Sequence, residues 1–253
     1  MQIIDNIYYT PACSDRQQIK LYLPECESFP MVVWMHGGGL EAGNRNDVAA
    51  YAEYLASRGI ALASVEYRMY PYARYPDFIY DAAAAVACVK NTFSRYGNIE
   101  GIFVGGSSAG AYLSMMLCFD SRYLAPHKMK PTDITGYIHN AGQPTTHFNV
   151  LRERGMDPRR AVSDEAAPIY HIGLAKEYAP MLFIVCTDKD LEARYEQTLL
   201  TVATMKHFGY DMSRVKTEYL LGNHCSQDFA KDENGESVLG KIIENYVRSI
   251  LPV

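Results

Sequence analysis

Short apolar runs alternate with stretches of helical period along nearly the whole chain. That is the pattern of strands joined by crossover helices in a mostly parallel sheet. Residues 7–10 and 18–23 read as two edge strands, the second alternating Ile19, Leu21 and Leu23 against Lys20 and Tyr22. The run MVVWM at 31–35 reads as a buried strand. In 47–58, Val48, Tyr51, Ala52 and Leu55 fall three and four apart, and Gly59 supplies a stop, so one amphipathic helix is expected. A strand at 60–65 follows, and Pro76 can open a long helix running through Ile79, Ala82, Ala83, Val86 and Val89 to Tyr96-Gly97-Asn98. Residues 102–104 form a short apolar strand that runs into GGSSAG, and 111–118 continues apolar and free of breakers. Strands at 134–140, 181–186 and 215–221, a helix at 191–208 and an amphipathic last helix from Val238 to Ile250 complete the alternation. Between Gln143 and Glu165 lies a charged, irregular stretch too long for an ordinary connection, expected to be a small excursion over the sheet.

A chain of 253 residues, 48% hydrophobic and 21% charged, can bury one sizeable core, so a single domain over 1–253 is expected, with a small cap at about 143–165. The net charge of -5 comes from interspersed charges with no basic run, which argues against nucleic acid as a partner. No uninterrupted apolar stretch is long enough to span a membrane. The opening MQIIDNIYYTPACSD lacks a basic segment followed by an apolar one, so a cytoplasmic location is expected. Six scattered cysteines without C-x-x-C spacing fit free thiols in a reducing compartment and give no metal or redox motif.

The chemistry concentrates in a few places. Gly106-Ser107-Ser108-Ala109-Gly110 fits G-x-S-x-G, whose demand is a sharp strand-to-helix turn that strains the central serine and tolerates only small neighbours. The pentapeptide alone is weak, but it sits between an expected strand and an expected helix. Ser107 lacks a glycine two residues later, so Ser108 is the candidate nucleophile. His36-Gly37-Gly38-Gly39 follows the MVVWM strand, where glycines let main-chain N–H groups approach a developing oxyanion. The expected donors are the N–H of Gly37 or Gly38, or both, together with that of Ala109. His36 itself fits a loop-ordering role. The order nucleophile, acid, base places the base after the last strand of such a sheet, which selects His224 over His171 and His207. For the acid, MLFIVCTDKD offers Asp190 and Asp188; analogy with the usual loop position favours Asp190, leaving Asp188 as a turn or helix cap. Cys186 reads as a small buried filler.

With these motifs the chain resembles the α/β-hydrolase superfamily, specifically the carboxylesterases with an HGGG loop: the hormone-sensitive-lipase-like group and the small feruloyl and acetyl esterases. Val65-Glu66-Tyr67-Arg68, Pro71, Tyr75-Pro76 and Asp81 extend the likeness between the oxyanion loop and the elbow. About 30 residues precede the HGGG strand, which favours the compact esterases over those with a long N-terminal cap. Glu66 stands where the family often has Asp. The resemblance implies an α/β-hydrolase fold and hydrolysis of small-molecule, short-chain carboxylic esters through an acyl-enzyme, with no cofactor and no metal. An arylformamidase-like amide hydrolase shares the same machinery, and an inactive binding protein on this fold is the alternative of a different class.

Overall fold

In a computed structural model describing residues 1–251, the run MVVWM lies in β3 (Ser28–Met35), and its pleat supplies two cores at once. Met31, Val33 and Met35 pack into one cluster, while Val32 and Trp34 pack into the other. A strand buried on both faces needs helices on both sides, and the rest of the chain provides them. The other strands are β1 (Gln2–Tyr8), β2 (Gln18–Leu23), β4 (Ala61–Val65), β5 (Asn98–Ser107), β6 (Gly136–Asn140), β7 (Met181–Cys186) and β8 (Val215–Leu220). The helices are α1 (Ala49–Ser57), α2 (Asp77–Thr92), α3 (Ala109–Phe119), α4 (Phe148–Glu153), α5 (Arg194–His207) and α6 (Val238–Ile250).

All eight strands form one sheet in the order β1-β2-β4-β3-β5-β6-β7-β8. Strands β3 to β8 pair in parallel, and β2 runs antiparallel to both of its neighbours. The carboxyl ends of β3, β5, β6, β7 and β8 therefore open onto one edge, the usual place for a ligand site in such a sheet. Apolar residues of α1 and α6 cover one face through Tyr51, Leu55, Leu239 and Ile243. Those of α2 and α3 cover the other through Phe78, Val86, Tyr112 and Met116. None of the described helices is long and apolar enough to cross a membrane.

Four expectations need correction. The strand expected at 7–10 is β1, Gln2–Tyr8, a mostly exposed edge strand whose alternation is broken by a register shift between Ile4 and Ile7, where Asn6 has φ 59°. Strand β2 is not an edge: it pairs on both sides, and Tyr22 is as buried as its aliphatic neighbours. The three-residue strand at 102–104 is part of the ten-residue β5. Its glycines hid it, because strand propensity counts against Gly while packing here requires it. A Cβ on Gly105 would lie 2.7 Å from the Trp34 ring and 2.8 Å from the Ile138 carbonyl oxygen. Finally, α2 starts at Asp77, with Pro76 at the cap position outside the first turn.

Several residues behind the family likeness act in packing. The buried Asp81 carboxylate on α2 accepts from Gln17 Nε2 at 2.7 Å, from the Arg68 backbone N–H at 3.0 Å and from Arg68 Nε at 2.8 Å. This joins α2 to the chain leaving β4 and to the turn before β2. Glu66 accepts the Arg45 backbone N–H at 2.9 Å, and its carbonyl accepts the Tyr9 hydroxyl at 2.8 Å. The longer acid thereby fixes the loop before α1.

Candidate active site

Strand β5 ends at Ser107 and α3 begins at Ala109, so the whole change of direction falls on Ser108. Ser108 has φ 53° and ψ -110°, a conformation that costs an L-residue of order 1–3 kcal/mol and persists only where its surroundings enforce it. The enforcement is visible in the flanking glycines. A Cβ on Gly110 would fall 2.0 Å from the Met35 carbonyl oxygen, and one on Gly106 would fall 2.4 Å from the Gly110 carbonyl carbon. The Ser108 N–H donates to the Asn140 carbonyl at 2.7 Å, tying the turn to the end of β6.

Beside the elbow lies the loop that follows β3. Its first residue, His36, is buried, stacks on Tyr67 with ring centroids 4.4 Å apart and contacts the Gly37 carbonyl through Nδ1 at 2.7 Å. Burial holds its pKa below the usual histidine value. The imidazole orders the loop from behind. Gly38 has φ 113°, and a Cβ there would sit 2.0 Å from the Ala42 carbonyl oxygen. A Cβ on Gly37 would approach the Ser107 carbonyl oxygen at 3.2 Å and the Ser108 Cβ at 3.5 Å, which measures how closely this backbone passes the serine. Ala109 opens α3, so its N–H has no acceptor within the helix.

His224 follows β8 and closes the arrangement. Its Nε2 lies 2.8 Å from Ser108 Oγ, and its Nδ1 lies 2.5 Å from Asp190 Oδ1. Asp190 also accepts the Leu191 N–H at 2.7 Å, and its side chain is only 3% exposed. Asp188 faces elsewhere: its Oδ1 accepts the Gly222 N–H at 2.6 Å, holding the turn that carries His224. Of the two candidate acids, the fold brings Asp190 to the imidazole. The thiol of Cys186 donates to the Asn223 carbonyl at 3.2 Å, so this filler also ties β7 to the histidine loop. His171 is buried near Asp120, and His207 is exposed on α5.

The two serines are distinguished by their partners. Ser107 Oγ accepts from Asn140 Nδ2 at 3.0 Å, and the same amide donates to Asp228 Oδ1 at 2.7 Å. Gln227 Nε2 donates to the Asn140 side-chain oxygen. Ser107 is thus spent in a buried polar cluster. Sequence reading missed Asn140 and Asp228; the signal for them was a polar residue closing an apolar strand and an acid four positions after the candidate base. Burial pushes the Asp228 carboxyl up to about 6, against lowering by Ser107, Asn140 and His224.

A cleft of about 370 Å³ opens over Ser108 and His224, with Tyr51, Phe148, Leu191 and Phe229 as its apolar walls. A larger cavity of about 840 Å³ near His171 and Tyr178 lacks these groups. Phe148 comes from the 143–165 stretch, where α4 is pinned to the glycine loop after β3 by Asn149 Nδ2 donating to the Gly39 carbonyl at 2.9 Å. Among the described residues, no cluster of three or more His, Cys, Asp or Glu side chains is arranged to hold a metal ion.

The profile of the BD-FAE family matches residues 19–205. The chain belongs to the BD-FAE family. Among curated proteins, it is 33% identical over 102 residues to a probable isoprenylcysteine alpha-carbonyl methylesterase of Oryza sativa subsp. japonica, covering 39% of this chain and 24% of that protein. It is 32% identical over 98 residues to an acetyl esterase of Salmonella schwarzengrund (strain CVM19633), covering 38% of this chain and 30% of that protein. The match thus spans less than a third of either relative. Among solved structures, esterase 2 of Thermogutta terrifontis phosphoramylated by tabun superposes with TM-score 0.77 at 21% identity, covering 98% of this chain and 94% of that one. Esterase B from Lactobacillus rhamnosis (HN001) gives TM-score 0.78 at 16% identity, covering 98% and 84%. This BD-FAE member has the α/β-hydrolase fold.

The contacts of the two acids near β7 make them separable by mutation. Asp190→Asn is expected to slow labelling of the protein by a fluorophosphonate by about 10⁴, because the imidazole loses the carboxylate that fixes its tautomer. Asp188→Ala should cost about 1 kcal/mol of stability and slow labelling less than tenfold; stopped-time labelling and thermal melts separate the two, and the opposite ranking would reassign the acid. Asp228 generates a second expectation, in pH. A carboxyl raised from 3.8 to about 6 binds its proton more tightly in the folded chain, so stability falls as pH rises from about 4 to about 6. Each tenfold tightening of proton binding in the folded chain corresponds to a loss of about 1.4 kcal/mol once the pH has passed through that range. Urea titrations from pH 4 to 8 should show Asp228→Asn flattening that fall and gaining stability at pH 7; an unchanged slope would contradict the buried charge.

Proposed function

We propose that this protein is a serine carboxylesterase that hydrolyses short-chain carboxylic esters through an acyl-enzyme. The observation that carries the reading is the unbroken contact from Asp190 to His224 to Ser108, with the serine on a strained turn. Ser108 Oγ attacks the ester carbonyl carbon as His224 Nε2 takes its proton. Asp190 holds the Nδ1 tautomer and stabilises the imidazolium. The N–H groups of Gly37, Gly38 and Ala109 receive the negative charge that develops on the carbonyl oxygen. His224 then returns the proton to the leaving alcohol. Water, activated by the same imidazole, attacks the acyl-enzyme, releasing the acid and restoring Ser108.

The names of the matched relatives, a methylesterase and an acetyl esterase, support ester chemistry. The cleft of about 370 Å³, closed on one side by Phe148 of the 143–165 cap, supports small acyl groups. The remainder of that cap, including Asp157, Arg159 and Arg160, is too polar to wall a long apolar tunnel.

Ser108→Ala is expected to lower kcat on p-nitrophenyl acetate by several orders of magnitude, while Ser107→Ala retains substantial activity because its hydroxyl only serves the Asn140–Asp228 cluster. The reverse ranking refutes the assignment. Along a series of p-nitrophenyl esters, kcat/KM should fall steeply beyond butyrate. Each buried methylene is worth about 0.8 kcal/mol, so a pocket built for long chains would instead show efficiency rising with length, and a preference for octanoate or longer would defeat the short-chain reading.

A further inference from the structure

Arg194, at the start of α5 and four residues past Asp190, is a buried cation without an anion. It is 5% exposed, and among the described residues its guanidinium pairs with no carboxylate. Nη1 donates to the Ala141 carbonyl at 3.1 Å and Nη2 to Gln143 Oε1 at a long 3.4 Å, while the buried Nε–H has no acceptor. Asp190, whose charge favours the guanidinium, is already engaged by His224. A buried charge satisfied only by neutral oxygens is costly, and removing a cation from water is normally compensated by an opposite charge. Burial holds its pKa down to about 10, consistent with that incomplete compensation.

Arg194 is among the residues lining a second cleft of about 720 Å³, which shares Phe148 and Leu191 with the cleft over Ser108. Gln143 couples the two spaces: its Oε1 accepts from Arg194 and from the Phe148 N–H at 3.3 Å. Three arginines, Arg159, Arg160 and Arg194, and two acids, Asp157 and Glu192, line this second cleft. Asp157 is taken by Arg159 at 2.6 Å, so the cleft carries excess positive charge with its one buried member at the inner wall.

We propose that this second cleft is a subsite for a carboxylate on the substrate, with Arg194 as the specificity-determining cation, so that the preferred esters are anionic. This rests on the esterase reading and narrows it. The ester carbonyl lies at Ser108, and the carboxylate reaches past Phe148 and Leu191 to the guanidinium, whose planar donors suit it.

The test uses isosteric pairs that differ only in charge. Monomethyl glutarate against its primary-amide analogue places the carboxylate on the acyl side; 4-acetoxybenzoate against 4-acetoxybenzamide places it on the leaving group. With rates corrected for uncatalysed hydrolysis, wild type should favour the carboxylate of at least one pair by roughly tenfold to a hundredfold in kcat/KM, as expected for a charge-assisted hydrogen bond. Arg194→Gln should bring that ratio to near one, whatever happens to the rate on the neutral partner. A wild-type ratio near one in both pairs, or a ratio that survives Arg194→Gln, overturns the proposal while leaving the esterase reading intact. Should Arg194→Gln fail to fold, inhibition of wild-type p-nitrophenyl acetate hydrolysis decides: free glutarate or 4-acetamidobenzoate should inhibit at least tenfold more tightly than the corresponding amides, and equal inhibition overturns it. If wild type hydrolyses none of these esters, calorimetric binding of 4-acetamidobenzoate against 4-acetamidobenzamide decides the subsite alone, tenfold tighter binding supporting it and equal binding refuting it; the esterase reading itself fails only if p-nitrophenyl acetate is not hydrolysed either.

Discussion

The site depends on one close approach, the seating of the first turn of α3 against the carboxyl ends of β3 and β5. Gly110 touches the Met35 carbonyl, Gly106 touches Gly110, and no side chain fits between them. With that contact made, Ser108 has no relaxed conformation available and is held at positive φ. Strain of this size survives only when the surrounding fold over-determines it. Here the fold supplies two cores, one on each face of the sheet, that fix β3 and β5 as buried neighbours. The parallel order then delivers the glycine loop, the serine, the acid and the histidine to one edge without any of them being near another in sequence.

Around that edge the charges are arranged unevenly. The Asp190 side chain faces the imidazole and is almost fully buried. Asp228, four residues after the same histidine, is held by Asn140 and Ser107, with its carboxyl raised by burial. Arg194 stands behind the acid loop with neutral acceptors only. Each of the three is linked to a backbone segment that carries part of the site. Asp190 fixes the turn after β7, the Asn140–Asp228 contact joins β6 to the histidine loop, and Arg194 joins α5 to the stretch leading into α4. The electrostatics and the positioning of the loops are therefore the same set of contacts, and a change in one of these charges is felt in both.

Much of this was legible in the chain. The fold class followed from apolar runs alternating with helical periods, and G-x-S-x-G and HGGG were readable because glycine spacing reports backbone approach directly. What escaped was whatever depended on a partner distant in sequence. The extent of β5 was hidden because Gly101, Gly105 and Gly106 are there for neighbouring strands and helices and carry no strand propensity. Position in the loop favoured Asp190 over Asp188 only by analogy, since what distinguishes them is a contact distant in sequence: Asp188 faces Gly222 and Asp190 faces His224. Asn140 and Asp228 belong to no motif. They are neighbours only because β6 ends beneath the elbow, and Arg194, an ordinary helix residue in the sequence, is unusual only in being buried without a counter-charge.

The central claim is that the strained serine at the elbow is the nucleophile, and that it forms a covalent bond during the reaction. Peptide mass spectrometry after treatment with a fluorophosphonate tests this most directly. One phosphonyl group per chain should be found, on Ser108, with formation suppressed when His224 is replaced by Ala. An adduct on Ser107 or on any other residue, or no adduct on a protein that hydrolyses esters, would contradict the account.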